Sequence, residues 1–418
     1  MTATMAQSQP HLTDSSRLKR QLHQAERLRK IKAAALVMPL AIFLVVVFVI
    51  PITQMLWRSI DNSELMQEMP LTAELIQKWD GQQLPSTEVF GTFAQELQMS
   101  RQSGGLGKVG RRLNYEDPTF RGLLVRTLRQ LPADGSLTAY ALAVQQADPA
   151  WSETTTWLAI QRAASATTDR YLLAALDMKR DDQGQIQSVA EEQRVYLSVF
   201  QRTLVISGSV TLICLLLGFP LAYLLATLPT STSNLLMIFV LLPFWTSLLV
   251  RTASWIVLLQ SGGLINTTLI SAGWIDSPLQ LVFNRTGVLA AMVHILLPFM
   301  ILPLYSVMKG ISPNYQRAAI SLGCHPFVAF WKVYAPQTIS GVAAGTLLVF
   351  IMALGYYITP ALVGGPSDQM VSYYVAYYTN TTNNWGMAAA LGSLLLIITL
   401  LLYLVYHRLV NQKQLIRN

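Results

Sequence analysis

Arg251 is the one charged residue deep inside a long apolar run of this 418-residue chain, and His294 lies inside another. A guanidinium in hydrocarbon marks a functional position by default. It either holds its segment against neighbours or receives an anionic group, a carboxylate or a phosphate. His294 reads as a packing residue or a solute contact. Neither supports catalysis, because the apolar runs contain His294 and, at the very end of the last, His407, no Asp or Glu and no nucleophile–base pair. Cys214 falls in an apolar run and Cys324 in a loop, so two unpaired thiols and no metal site are expected. Gly105-Leu-Gly107-Lys-Val-Gly110 matches G-x-G-x-x-G. A dinucleotide site needs a strand before that motif and a helix after it. Polar QELQMSRQS precedes it here, so SRQSGGLGKVGRRLN reads as a glycine-rich, mobile loop. No G-x-x-x-x-G-K-[ST] run is present, so this chain does not hydrolyse ATP itself. No catalytic residue and no bound cofactor are expected. Tyr356, Tyr357, Tyr373, Tyr374, Tyr377, Tyr378 and Trp385 gather at the outer ends of the last two apolar runs. Their ring faces suit cations, at roughly 0.5–2 kcal/mol each. An interfacial aromatic belt is the plainer reading.

The elements that carry these residues follow from composition. The chain is 52% hydrophobic and 12% charged, about half the charge of a soluble globular protein. Runs at roughly 33–57, 202–228, 235–259, 287–308, 338–360 and 387–407 are each long enough to cross hydrocarbon. The expected fold is an all-α polytopic membrane protein with six transmembrane helices. Of the 22 acidic residues, 18 lie between Arg58 and Phe200, and only Asp276 and Asp368 follow, both in loops on the outer side. Residues 58–200 therefore form a water-soluble insertion, long enough for its own core. It reads as helical. TFRGLLVRTLRQL puts Phe120, Leu123, Leu124 and Leu128 on one stripe, and Trp151, Trp157, Leu158 and Ile160 nearly share another. Pro220, Pro243, Pro298 and Pro303 punctuate the spans. Gly341-Val-Ala-Ala-Gly345 would let two helix backbones approach closely.

Lys and Arg set the expected orientation. They crowd the segment before the first run, the segment after the last and the loop after the fourth, with Lys309, Arg317 and Lys332. Positive residues favour the cytoplasm in short loops. Residues 1–32 and 411–418 are then cytoplasmic tails, and the insertion lies outside. The first run, with no small-x-small site after it, reads as an uncleaved anchor. The net charge of +8 is a matter of topology and calls for no nucleic acid.

Residues 312–337, SPNYQRAAISLGCHPFVAFWKVYAPQ, interrupt two apolar runs with two short helices. Ser312 suits an N-cap and Pro313 a first turn. Tyr315, Ala318, Ala319 and Leu322 share a face of small residues and one tyrosine. Gly323 can take the left-handed conformation that ends a helix. Phe327, Phe330, Trp331 and Tyr334 then give a second helix an apolar face, and Pro336 is expected to stop it before the fifth span. A helix exposing small residues fits a groove of another protein.

Arg317-Ala-Ala-Ile-Ser-Leu-Gly323, with Pro336 thirteen residues later, resembles the Glu-Ala-Ala loop of the permeases of binding-protein-dependent ATP-binding-cassette importers, the MetI-like, type I family. The match covers Ala318, Ala319, Leu322, Gly323, Phe330 and Pro336; Arg317 stands where the family usually has Glu. LLLGFPLAYLLA, LLPFWTSLLVRTASWIVLLQSGGLIN and GYYITPALVGGP resemble the spermidine/putrescine branch. The resemblance implies a bacterial inner-membrane subunit with a coupling loop that docks cytoplasmic ABC ATPase subunits, which bind ATP and Mg. It also implies a second six-helix permease subunit in a heterodimer and a periplasmic solute-binding protein. The implied solute is a polyamine. Arg251 and His294 leave an amino acid, an opine or a phosphonate open, with Arg251, His294, Tyr356 and Tyr357 as the candidate path. A membrane-anchored sensor that uses the insertion is the alternative class.

Overall fold

The computed structural model describes residues 12–181 and 184–415. Residues 1–11 and 416–418 of the expected tails lie outside the described residues. The chain divides into two units, Met1–Trp57 and Arg58–Asn418.

In the first unit, α1 (Leu12–Leu44) runs through a π-turn at Val45–Val49 into α2 (Ile50–Trp57). Pro51 has no N–H, and its ring crowds the carbonyl four residues back. The wider turn relieves that conflict. Thr53 Oγ1 donates to the Val49 carbonyl at 2.8 Å.

The insertion opens the second unit with α3 (Glu64–Glu68), α4 (Pro70–Gln77), α5 (Thr87–Ser103), α6 (Leu106–Glu116), α7 (Phe120–Gln130), α8 (Leu137–Ala147), α9 (Thr154–Ala163) and α10 (Arg170–Ala175). Phe90, Phe93, Trp151 and Trp157 form its centre, with ring centroids 4.4–5.5 Å apart. Both indoles keep their hydrogen bonds. Trp151 Nε1 donates to Thr127 Oγ1 at 2.8 Å and Trp157 Nε1 to the Trp151 carbonyl at 3.0 Å. The Phe120, Leu123, Leu124 and Leu128 stripe is buried as its period requires. Buried Glu96 accepts the N–H groups of Leu71 and Thr72 at 2.9 and 2.8 Å, which satisfies the first turn of α4.

Two features depart from the sequence reading. The glycine-rich stretch is not a loop. α5 runs to Ser103, Gly104 turns the chain at φ 81°, and α6 begins at Leu106. Gly107 and Gly110 are helical because Val109 and Leu113, on one face of α6, bury into the core. With helices on both sides, the strand a dinucleotide motif needs is absent. An antiparallel hairpin also follows α10, β1 (Met178–Arg180) paired with β2 (Ile186–Ser188), Lys179 opposite Gln187. Three exposed residues per strand show no alternation to read.

The membrane core is α11 (Tyr196–Thr227), α12 (Thr230–Leu241), α13 (Leu248–Leu259), α14 (Leu264–Ser271), α15 (Arg285–Lys309), α16 (Asn314–Ser321), α17 (Pro326–Ala329), α18 (Ile339–Gly355), α19 (Ile358–Val363), α20 (Val371–Asn380) and α21 (Trp385–Leu415). Six apolar helical stretches of the described chain are long enough to cross a membrane, and Thr230–Trp245 is a shorter one. Helices α11 and α15 run parallel: Cys214 Sγ meets the Val293 carbonyl mid-helix, and Lys309 Nζ meets the Ala226 carbonyl at their ends. Helix α18 returns antiparallel. A Cβ on Gly341 would lie 3.0 Å from Val307 Cβ, and one on Gly345 2.8 Å from Met300 Sδ. The Gly341 and Gly345 spacing thus does what small residues do at membrane interfaces.

The third crossing is not the continuous helix expected over 235–259. Ser233, early in α12, bonds to Leu225 at one end of α11. Leu259, closing α13, reaches Gly287 at the opposite end of α15. The two helices cross in series, broken by a 3-10 turn at Leu242–Trp245. Pro243 causes the break, and Phe244 fills it against Phe299 at 4.9 Å.

Candidate functional site

The 312–337 loop lies beyond the ends of α11 and α15. Pro313, not Ser312, is the N-cap of α16; Ser312 contributes its carbonyl to the Tyr315 N–H and its Oγ to the Asn314 N–H. Gly323 ends the helix at φ 89° with nothing within 4 Å of where a Cβ would stand. Arg317, Ala318 and Gly323 are exposed and Ala319 is half-buried. Leu322 is 88% exposed, and Tyr315 and Ile320 are exposed beside it. The outer face of α16 is therefore more apolar than the small-residue surface expected.

The second half of the loop corrects two further expectations. Helix α17 starts at Pro326, with His325 Nδ1 accepting the Phe327 N–H at 3.3 Å. It does not stop at Pro336. A π-turn at Phe330–Tyr334 and a 3-10 turn at Ala335–Thr338 carry the chain straight into α18. The proline lacks a donor, and the local change of helix type absorbs it, as at Pro51. The same turn splits the aromatic face. Phe330 and Tyr334 pack on Tyr223 of α11 at 5.3 and 5.2 Å, and Phe330 meets Phe219 edge-on. Phe327 and Trp331 stay exposed. Exposed apolar side chains thus gather on a loop whose other face is pinned to α11. Such a patch marks an interaction surface.

Within the core, Trp255 Nε1 donates to His294 Nδ1 at 3.1 Å, and Arg251 lies within electrostatic reach of His294 and Tyr356. Arg251 thus lies in the field of two of the other three candidate path residues, and its buried Nε and Nη1 hydrogen-bond to neither. Tyr357 is exposed.

The outer tyrosines divide. Tyr374 and Tyr378 turn inward to the start of α11, where Tyr378 Oη hydrogen-bonds Tyr196 Oη and Tyr374 meets the Tyr196 ring edge-on at 6.1 Å. Tyr373 meets Tyr374 edge-on, Tyr377 is exposed, and Trp385 carries the Arg58 guanidinium 5.5 Å from its ring centroid. Asp368 is buried and accepts from Arg285 Nε at 3.2 Å.

The residues that join the insertion to the core escaped sequence reasoning. Asp177 accepts the N–H groups of Val195, Tyr196 and Leu197, and Tyr171 packs on Gly386. Behind that seam, Glu116 Oε1 accepts from Arg112 at 2.9 Å, and its Oε2 takes Arg162 and Arg170 at 3.3 and 3.1 Å. Burial pushes the Glu116 carboxyl up, but Arg170, Arg112 and Arg162 outweigh it and hold it below its ordinary value. A cleft of about 820 Å³ opens beside it, between Arg162, Arg170 and the hairpin residues Met178–Arg180.

Residues 218–414, from the second half of α11 to the end of α21, match the family of the binding-protein-dependent transport system inner membrane component. The spermidine/putrescine transport system permease protein PotB of Haemophilus influenzae is 35% identical over 222 residues, 52% of this chain and 78% of the relative. The chain belongs to this permease family. PotB of Escherichia coli is 34% identical over 222 residues, covering 52% of this chain and 81% of its own. The Escherichia coli inner membrane ABC transporter permease protein YdcU is 31% identical, over 50% of this chain and 70% of its own. As a member of that family, the protein is a multi-pass inner-membrane transport component rather than an enzyme. The shared part is the core with its loop, so the insertion stands outside the family match.

Proposed function

We propose that this permease subunit imports a polyamine, spermidine or putrescine, delivered by a periplasmic binding protein and driven by a separate ATPase. The observation that carries the reading is the likeness to two spermidine/putrescine permeases over 222 residues, beside a family match over 218–414 that spans the 312–337 loop. In this reading both tails and that loop are cytoplasmic. ATPase subunits, holding ATP and Mg, seat α16 with its exposed Arg317, Ala318, Leu322 and Gly323. Closure of the ATPase pair pushes the loop. The stacked Phe330 and Tyr334 pass that movement to α11, and the turn through Pro336 passes it to α18, a rigid-body switch between outward and inward states. A second six-helix subunit completes the path around Arg251, His294, Tyr356 and Tyr357. The outer rings Tyr373, Tyr377 and Trp385 attract the ammonium groups. The insertion, anchored to α11 and α21, extends the surface on which the binding protein lands.

A second reading is favoured by one observation: the core path holds a cation, Arg251, and no carboxylate. An anionic or zwitterionic solute suits that path better than a polyamine. Uptake of radiolabelled spermidine, putrescine and an amino acid mixture separates the two. The measurement uses proteoliposomes holding the whole complex with its binding protein. Spermidine or putrescine accumulation that needs ATP supports the polyamine. Accumulation of amino acids alone would replace it.

A further inference from the structure

Among the described residues, no carboxylate pairs with the guanidinium of Arg251. Its Nε and Nη1 are buried, and neither has a hydrogen-bond partner. The groups in electrostatic reach, His294 and Tyr356, carry no negative charge at neutral pH. His294 Nδ1 is already taken by the Trp255 N–H. The sequence after residue 200 offers two carboxylates. Asp368 is engaged by Arg285 and the Gly365 N–H. Asp276 is exposed in the connection before α15.

The depth of Arg251 excludes a lipid headgroup. Leu259 is level with Gly287 near the outer end of α15, and Trp255 is level with His294. His294 lies nine residues along α15 from Arg285, about 13 Å at 1.5 Å per residue. Arg251 lies one further turn of α13 towards the centre, which places it near the middle of a hydrocarbon layer about 30 Å thick. An ion held there without a partner costs several kcal/mol. The described residues supply no such partner, which points to an anion from outside them.

Its source follows from the surface around it. Leu249, Val250 and Val257 of α13 are more than half exposed and give that helix an uncovered apolar face, about a third of a turn around it from Arg251. A polyamine carries ammonium groups only, so it cannot supply the anion. A protein segment facing α13 can. We propose that Arg251 is one half of an ion pair across the permease interface, with an Asp or Glu carboxylate supplied by the second permease subunit. The planar fork of Arg suits a two-point carboxylate contact that Lys cannot reproduce. This inference rests on the reading that two permease chains form the path.

The experiment is affinity purification of the whole complex from the native host in mild detergent, through a tag on this chain. Wild type, Arg251→Lys, Arg251→Gln and Arg251→Glu are compared, with recovery of the second permease subunit and of the ATPase measured separately. In Arg251→Glu two carboxylates face each other, and recovery of the second subunit is expected to fall at least tenfold. Arg251→Gln is expected to fall several-fold and Arg251→Lys least. Monodisperse elution of each variant controls for folding. In the Arg251→Glu strain, an acid-to-Lys change in the second subunit is expected to restore assembly. Wild-type recovery in both Arg251→Gln and Arg251→Glu overturns the pair. If uptake is lost while recovery is unchanged, Arg251 touches the solute instead, and the proposal is equally overturned. If the wild type brings down an ATPase but no second permease chain, the pair falls while the importer reading stands.

Discussion

The carboxylate of Asp177, in the insertion, accepts the backbone N–H of Leu197 at 2.8 Å, in the first turn of the first helix of the membrane core. Its other oxygen accepts Val195 and Tyr196, each at 3.1 Å. Three donors that a helix start leaves unpaired are thereby satisfied from twenty residues upstream. Asp177 also sits at φ 55°, a conformation Asn tolerates and Ala does not. Asp177→Ala is expected to destabilise the insertion-to-core junction by about 1–2 kcal/mol for the lost cap, and Asp177→Asn by less. Thermal unfolding of the purified protein in detergent, with proteolysis of the 178–195 segment as the local readout, checks the order.

A Cβ on Gly386 would stand 2.4 Å from the Tyr171 ring. Helix α10 of the insertion therefore rests directly on the backbone of α21. Gly386→Ala overpacks that seam, at about 1–3 kcal/mol. Gly386→Ala combined with Tyr171→Ala is expected to recover part of the lost melting temperature, because the clash partner is gone. Equal loss in single and double variants would show that the close approach does not matter.

Glu116 gathers three guanidiniums while almost fully buried, with a side chain 6% exposed. Its folded-state pKa lies below the ordinary 4.5. The unfolded chain then binds more protons near that pH. The stabilisation is complete above about pH 4.5 and is lost as pH falls through the lower, folded value. Glu116→Gln leaves Arg112, a side chain 1% exposed, without its charge partner and is expected to cost about 3–5 kcal/mol. It should also flatten the decline in melting temperature below pH 4.5. A wild-type acid profile in the variant would show that other carboxylates control it.

Gly323 adopts φ 89° in open space. A side chain there meets no atom and bears only the backbone strain, about 1–2 kcal/mol. Gly323→Val is expected to shift the end of α16 and reduce ATP hydrolysis stimulated by the loaded binding protein severalfold, with Gly323→Asn much milder. The assay uses the reconstituted complex. Equal activity of both variants with wild type would mean that the turn does not position the docking face.

The large pattern was legible in the residues because membrane burial demands long apolar runs and leaves charge nowhere else to go. Six spans, the acid-rich insertion and the break at Gly323 each follow from a local rule. So does the family, through a loop whose motif is contiguous. Pro336 misled, since π- and 3-10 turns absorbed it instead of its ending a helix, whereas Pro243 broke one. Whether a proline stops a helix depends on what packs beside the freed carbonyls, and that is tertiary. The Gly105-Leu-Gly107 stretch became helix for the same reason, because buried Val109 and Leu113 outweigh the glycines around them.

By itself the sequence determined six membrane-length apolar runs, an acid-rich insertion and a permease-type loop, because hydropathy, charge placement and motif spacing are properties of neighbours along the chain. Only the tertiary structure decided which charges are paired. It put Asp177 on the start of α11, Asp368 on Arg285 and Glu116 among three arginines, and among the described residues it gave Arg251 no acid. Pairing depends on distance in space, across separations as long as the 83 residues between Arg285 and Asp368, and no local spacing records it.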